Sequence, residues 1–242
     1  MTWLLLASVH DESARWLADR LPNGGLAPLQ VVTDADLLGA TWRHRIDDAG
    51  ASTRVDLADG RVIDSAEVRG TLNRLTHVPP ELVSALVIED RTYAHQELSA
   101  LVLSWLASLP GPVVNPPSPR GLCGAWRPPA EWAVLASEAG LCPAPVRVDA
   151  TADPALAPAG WQPWPPFAPV AESVIVVGEE VFADRELDAA TMDACRCLAV
   201  RAATPLLGLA FAGESLVGAT PLPDVRTGDD LVAALVALLD PP

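Results

Sequence analysis

The order of apolar and polar positions lays out an α/β chain. Trp3 to Val9 is almost continuously apolar, as expected of a strand covered on both faces. His10-Asp11-Glu12-Ser13 offers a helix start, and Ala14, Leu17 and Leu21 then share one stripe before the Pro22-Asn23-Gly24-Gly25 stop. Leu29 to Thr33 is a second strand, followed by a short helical turn from Asp34 to Gly39. Strand, helix and strand with short connections open an α/β sheet. Short alternating segments with Asp-Gly type breaks come next; they predict a small hairpin over Thr53 to Ile63, ahead of a strand from Gly70 to Leu75. From Asp90 to Leu109 the spacing of Tyr93, Leu98, Leu101, Val102, Trp105 and Leu109 predicts the strongest helix of the chain, with Tyr93 half-buried in the core. Pro110-Gly111-Pro112 ends it. Val113-Val114 is the next buried strand, and Pro129 to Ala139 a helix closed by Gly140.

Between Pro143 and Pro169 the pattern is lost. The stretch is dense in proline and carries Trp161, Trp164 and Phe167, which reads as a connector held by aromatic anchors. The chain is therefore expected to divide into an N-terminal α/β lobe (1–145), a connector (146–170) and a C-terminal α+β lobe (171–242). That last lobe opens with "ESVIVVGEEVFA", strand, Gly178-Glu179 turn and strand, a strong hairpin signal. A helix over about Asp188 to Ala203 follows, then strand-like runs around Gly213-Glu214. "TGDDLVAALVALL" closes the chain as a helix, with Thr227 or Asp229 as its expected cap.

Composition narrows the functional classes. Half of the 242 residues are apolar, so the chain is globular. Its net charge of −15 leaves no basic stripe for nucleic acid or for an anionic membrane surface. All sixteen basic residues are arginine. With no lysine, Schiff-base chemistry and a lysine clamp on a phosphate are absent from the repertoire. Cys123, Cys142, Cys195 and Cys197 lack zinc spacing and are expected to be reduced and buried. The opening residues lack the basic start of a signal peptide, and no apolar run is long enough to cross a bilayer, so a cytoplasmic protein is expected.

Three stretches covering most of the chain resemble the ATP-grasp superfamily, especially its members that act on peptides in natural-product maturation. "GTLNRL" with "DRTYAHQELSALVLSWLASLPGPVVNPP" is similar to the domain that precedes the nucleotide lobes. "GLCGAWRPPAEWAVLASEAGLCPAP" is similar to the loop, helix and exit that follow it. "SVIVVGEEVFADREL", "LGLAFAG" and "TGDDLVAALVALL" are similar to the final lobe. The resemblance implies an α/β, ATP-grasp-like fold: an N-terminal parallel-sheet lobe and a smaller α+β C-terminal lobe. It also implies a lysine just before the Pro129 helix, and Trp126-Arg127-Pro128 stands there instead. Such enzymes place a glycine-rich lobe over the phosphates, but fewer than thirty residues separate Pro145 from Val174. They hold Mg²⁺ through a Glu-x-Asn, but only Glu214 and Asp224 are acidic near that position. Metal and cations must offset the charge on a transferring phosphoryl group. The frame is thus read as that of a ligase without its nucleotide work, with no cofactor and no metal.

Several residues could line a remaining cleft. Arg74 and Asn73 end a probable strand, where α/β proteins open their ligand crevices, and a regular strand would send them to opposite faces. Arg74 suits either a structural ion pair or recognition of a carboxylate or phosphate. Asn115, after two buried valines, and Arg120 in the next loop are further ligand candidates. Tyr93 and Glu97 share a helix face. His10, at the end of the first strand, has the location of a general base, and Glu97 is the alternative acid/base candidate. His77 and His95 have no supporting pattern, and Glu89 and Asp90 are explained by the helix dipole. Trp161 and Trp164 could wall a cleft. The leading functional expectation is a degenerate ATP-grasp-like protein that binds a small acid, a peptide or a partner enzyme in a biosynthetic pathway, with a homodimer left open. The alternatives are a nucleotide-independent enzyme using His10 or Glu97, and one half of a split ligase.

Overall fold

The structure is a computed structural model that describes residues 1–48, 50–146 and 172–241. The chain forms two compact units, Met1–Ala125 with Val225–Pro242, and Trp126–Asp224. The expected connector lies almost wholly outside the described residues.

The first unit is built on four parallel strands, β1 (Thr2–Ala7), β2 (Leu29–Thr33), β6 (Val68–Arg74) and β7 (Val113–Val114), in the order β2-β1-β6-β7. Trp3 to Ala7 are all buried, which accounts for the unbroken apolar run of β1. Helix α1 (Glu12–Arg20) leaves β1 under an Asp11 cap that accepts the Ala14 N–H at 3.0 Å. It buries Leu17 and Leu21 before Gly24 and Gly25 end it. Helix α2 (Asp34–Leu38) opens with a capping box between Thr33 and Asp36.

A second sheet, β3 (Thr41–Asp47), β4 (Gly50–Asp56) and β5 (Val62–Asp64), is antiparallel in that order. The expected hairpin corresponds to β4 and β5; β3 is added to it. Its inward positions pack: Trp42 meets the Trp105 ring edge-on at 5.1 Å and 82°. Helix α3 (Ile88–Ser108) then lies against β4 and a 3-10 turn at Pro80–Val83. Val102, Trp105 and Leu106 carry its buried half. Its first two turns are exposed, and Tyr93 with them at 66 % rather than half-buried in the core. Helical period is present there, but among the described residues no element covers that face. Gly111, at φ +75°, makes the tight return into β7; a Cβ there would stand 1.9 Å from the Arg69 carbonyl oxygen.

Helix α6 (Asp229–Leu239) belongs to this unit and packs on β6 and β7 through buried residues that include Leu231, Leu235 and Leu239. Neither Thr227 nor Asp229 caps it. Gly228 holds the cap position without a side chain, and Asp229 and Asp230 sit in the first turn, where the helix dipole favours them.

In the second unit, helix α4 (Pro129–Ala139) starts behind Pro128 and stops at Gly140, φ +93°. Strands β8 (Cys142–Pro143), β9 (Glu172–Val177), β10 (Glu180–Ala183), β11 (Leu206–Ala212) and β12 (Ser215–Thr220) form one sheet, ordered β10-β9-β11-β12-β8. Hairpins β9-β10 and β11-β12 turn at Gly178 and Gly213, both with positive φ. Helix α5 (Ala189–Arg201), capped by Asp188, joins them. Trp132, Ala136, Leu198, Val174, Val176 and Phe211 meet in its core. All four cysteines are free; Cys142 is exposed, against the expectation of burial, because it sits on the short edge strand β8.

Candidate functional site

Strand β6 ends on Asn73 and Arg74, and both are buried at the carboxyl end of the parallel sheet. Arg74 makes a two-nitrogen pair with Asp11: Nε donates to Oδ2 at 2.7 Å and Nη2 to Oδ1 at 3.2 Å. The arginine is only 4 % exposed, and its partner is the residue that caps α1. On the opposite face of the strand, Asn73 Nδ2 donates to the carbonyls of Asn115 at 3.0 Å and Leu122 at 2.7 Å. Its Oδ1 accepts the Leu75 N–H at 3.1 Å, and its carbonyl accepts the Cys123 thiol at 3.1 Å. Asn115 is fully buried at φ +56°, a conformation that asparagine tolerates better than most residues. Burial pushes the Cys123 thiol up to about 12, against the pull of Arg74 and of its bond to Asn115, with Asp11 adding to the rise.

Arg74, Asn73 and Asn115, three of the residues singled out in the sequence, are therefore brought together, with Asp11 and Cys123. Their bonds clasp β6, β7, α1 and the loop through Leu122. Asp11 occupies Nε and Nη2 of Arg74, the two donors that a ligand carboxylate would take in the same two-nitrogen geometry. The other candidates lie elsewhere in the unit. His10 is exposed beside the clasp, and Arg120 is exposed in the turn between Ser118 and Gly121. Tyr93 and Glu97 are exposed on α3. His77 is exposed, and His95 Nε2 lies 2.9 Å from the Val78 carbonyl oxygen, to which it donates.

The small sheet adds a group that sequence reasoning missed. His44 bridges β3 to α3, with Nδ1 2.7 Å from Thr53 Oγ1 and Nε2 2.9 Å from Ser104 Oγ. The opposite face carries Arg43, Arg45 and Arg54 around a pocket of about 270 Å³. Strict alternation in "TWRHRID" was the available signal; it places Trp42 and His44 on one face and the arginines on the other.

In the second unit, Trp126-Arg127-Pro128 stands where the resemblance calls for a lysine, and Arg127, the cation of that stretch, has local work. It pairs with Glu131 one turn along α4, lies over the Trp132 ring at 5.7 Å, and donates Nη2 to the Ala202 carbonyl at 3.1 Å. It thus ties the start of α4 to the end of α5. Glu214 is exposed at the β11-β12 turn. Among the described residues no three His, Cys, Asp or Glu side chains gather as a metal site.

These two units have the fold of the ATP-grasp ligases of the peptide-maturation type. Solved structures similar to the chain include the macrocyclase MdnC from Microcystis aeruginosa MRC bound with its precursor peptide MdnA, at TM-score 0.65 and 11 % identity over 99 % of both chains. Another is a Chryseobacterium gregarium RiPP-associated ATP-grasp ligase in complex with ADP and a leader and core peptide, at 0.68 and 10 % identity over 99 % of this chain and 96 % of that one. A third is the ATP-grasp ligase PsnB complexed with minimal precursor, Mg and ADP, at 0.64 and 16 % identity over 98 % of both. No family model and no curated relative matches the sequence.

Proposed function

We propose that this protein keeps the ATP-grasp frame without ATP-dependent ligation, and serves a natural-product pathway by binding a peptide or a partner enzyme. The observation that carries this reading is Arg127. In the Trp126-Arg127-Pro128 stretch where a lysine is expected, the one cation pairs with Glu131, lies over Trp132 and reaches the end of α5, so it braces two helices. The absence of lysine from the whole chain supports the reading, since no lysine clamp on a phosphate is available. Peptide binding is favoured because structures of this fold were solved with precursor peptides.

The test is an ADP-release assay with ATP, Mg²⁺ and candidate precursor peptides. ADP should stay at the level of the protein-free control. Peptide-dependent ADP release above that control, lost in Arg127→Ala, would overturn the reading.

A further inference from the structure

Strand β3 is the open edge of the small sheet. It pairs with β4 along its length from Thr41 to Asp47, and among the described residues no strand lies on its other side. A seven-residue edge leaves backbone donors and acceptors available to an added strand. The side chains say what such a strand would carry. Trp42 and His44 are fastened to α3, so Arg43 and Arg45 stand on the outer face, with side chains 69 % and 78 % exposed. Register puts Arg54 directly across from Arg43, which gathers three guanidinium groups at one pocket of a chain whose net charge is −15.

The counter-charges already present are weak holds. Asp56 lies 3.4 Å from Arg43 and 2.9 Å from Arg54, and Asp47 2.8 Å from Arg45. Pairs this exposed contribute little, so a competing carboxylate can replace them at small cost. Asp64 also lines the pocket but holds the Ala66 N–H. A second copy of the chain fits poorly: antiparallel pairing centred on His44 would set Arg43 against Arg45 of the other copy, like charges directly opposed.

We infer that β3 receives an extended acidic peptide as an added strand, whose alternate carboxylates reach Arg43, Arg45 and Arg54. This narrows the peptide-binding reading above to one surface, and rests on it. The experiment is a calorimetric titration of the intact protein with an acetylated heptapeptide alternating Val and Glu. A Val/Lys heptapeptide and a Val/Glu peptide N-methylated at alternate residues serve as comparisons.

The acidic peptide should bind alone of the three, and weaken as salt is raised. In R43E/R45E its affinity should fall by about tenfold or more. Both positions are on the solvent face, and circular dichroism of the variant will show whether it is folded. Undiminished binding to a folded R43E/R45E, or equal binding of the N-methylated peptide, overturns the inference and leaves peptide binding elsewhere standing. Absence of binding by the acidic heptapeptide overturns the inference too. Peptide binding altogether fails only if candidate precursor peptides also give no heat.

Discussion

Asp11 holds two elements at once, the first N–H groups of α1 and the guanidinium of Arg74. Removing it takes the two-nitrogen carboxylate pair from a buried cation. Asp11→Ala should therefore lose about 3–5 kcal/mol of stability by urea denaturation. Asp11→Ala with Arg74→Met should recover most of that and retain the ~1 kcal/mol loss of the cap. The thiols set a second expectation. Burial raises Cys123 to about 12 and Cys195 to about 11, above the ordinary 9.0. A raised folded value means the folded state holds the proton more tightly. The associated stability is fully present below about pH 9 and lost as pH climbs towards 11 and 12. Urea midpoints should fall across that window, and fall less steeply in Cys123→Ala. A parallel slope in the variant would remove Cys123 from the explanation. Asn73, Arg74 and Asn115 of this clasp were legible in the sequence as strand-end residues, but the bonds that join them to Asp11 and Cys123 were not. Arg74 could be placed at a strand end, but its partner lies 63 residues away, and only the fold brings them together.

At the scale of elements, the sequence was informative wherever burial leaves a complete pattern. Leu29 to Thr33, Val113-Val114 and Pro129 to Ala139 coincide with β2, β7 and α4, since each has both an apolar signature and a hard stop. Strand β3 was missed because "TWRHRID" contains two large apolar residues and one of them, Ile46, faces solvent at 67 % exposure. The start of α3 misled in the opposite way, since helical spacing continues through Tyr93 where, among the described residues, no element packs on it. Gly111 marks where an element boundary tolerates nothing else. Gly111→Ala combines positive φ with a Cβ 1.9 Å from the Arg69 oxygen, and should cost about 4 kcal/mol or more. Gly50→Ala, with positive φ and open space around it, should cost about 1 kcal/mol. Thermal denaturation of the two side by side checks the difference.

For the whole molecule, the chain has the fold of peptide-maturation ATP-grasp ligases and a basic inventory made only of arginine. The fold resemblance was legible because it rests on strand, loop and helix order, which tolerates wide sequence change. The use of Arg127 was not, since its acceptor at Ala202 lies 75 residues away. If Arg127 is a brace, Arg127→Ala should lower the stability of the Trp126–Asp224 unit by about 1–3 kcal/mol, measured by urea denaturation. The most direct measurement of the central claim is a calorimetric titration of the purified protein with ATP and Mg²⁺, with ADP as the control. Neither nucleotide should give a heat of binding or a thermal shift. Micromolar binding of Mg²⁺-ATP, lost in Arg127→Ala, would contradict the claim and assign the phosphate-binding work to arginine.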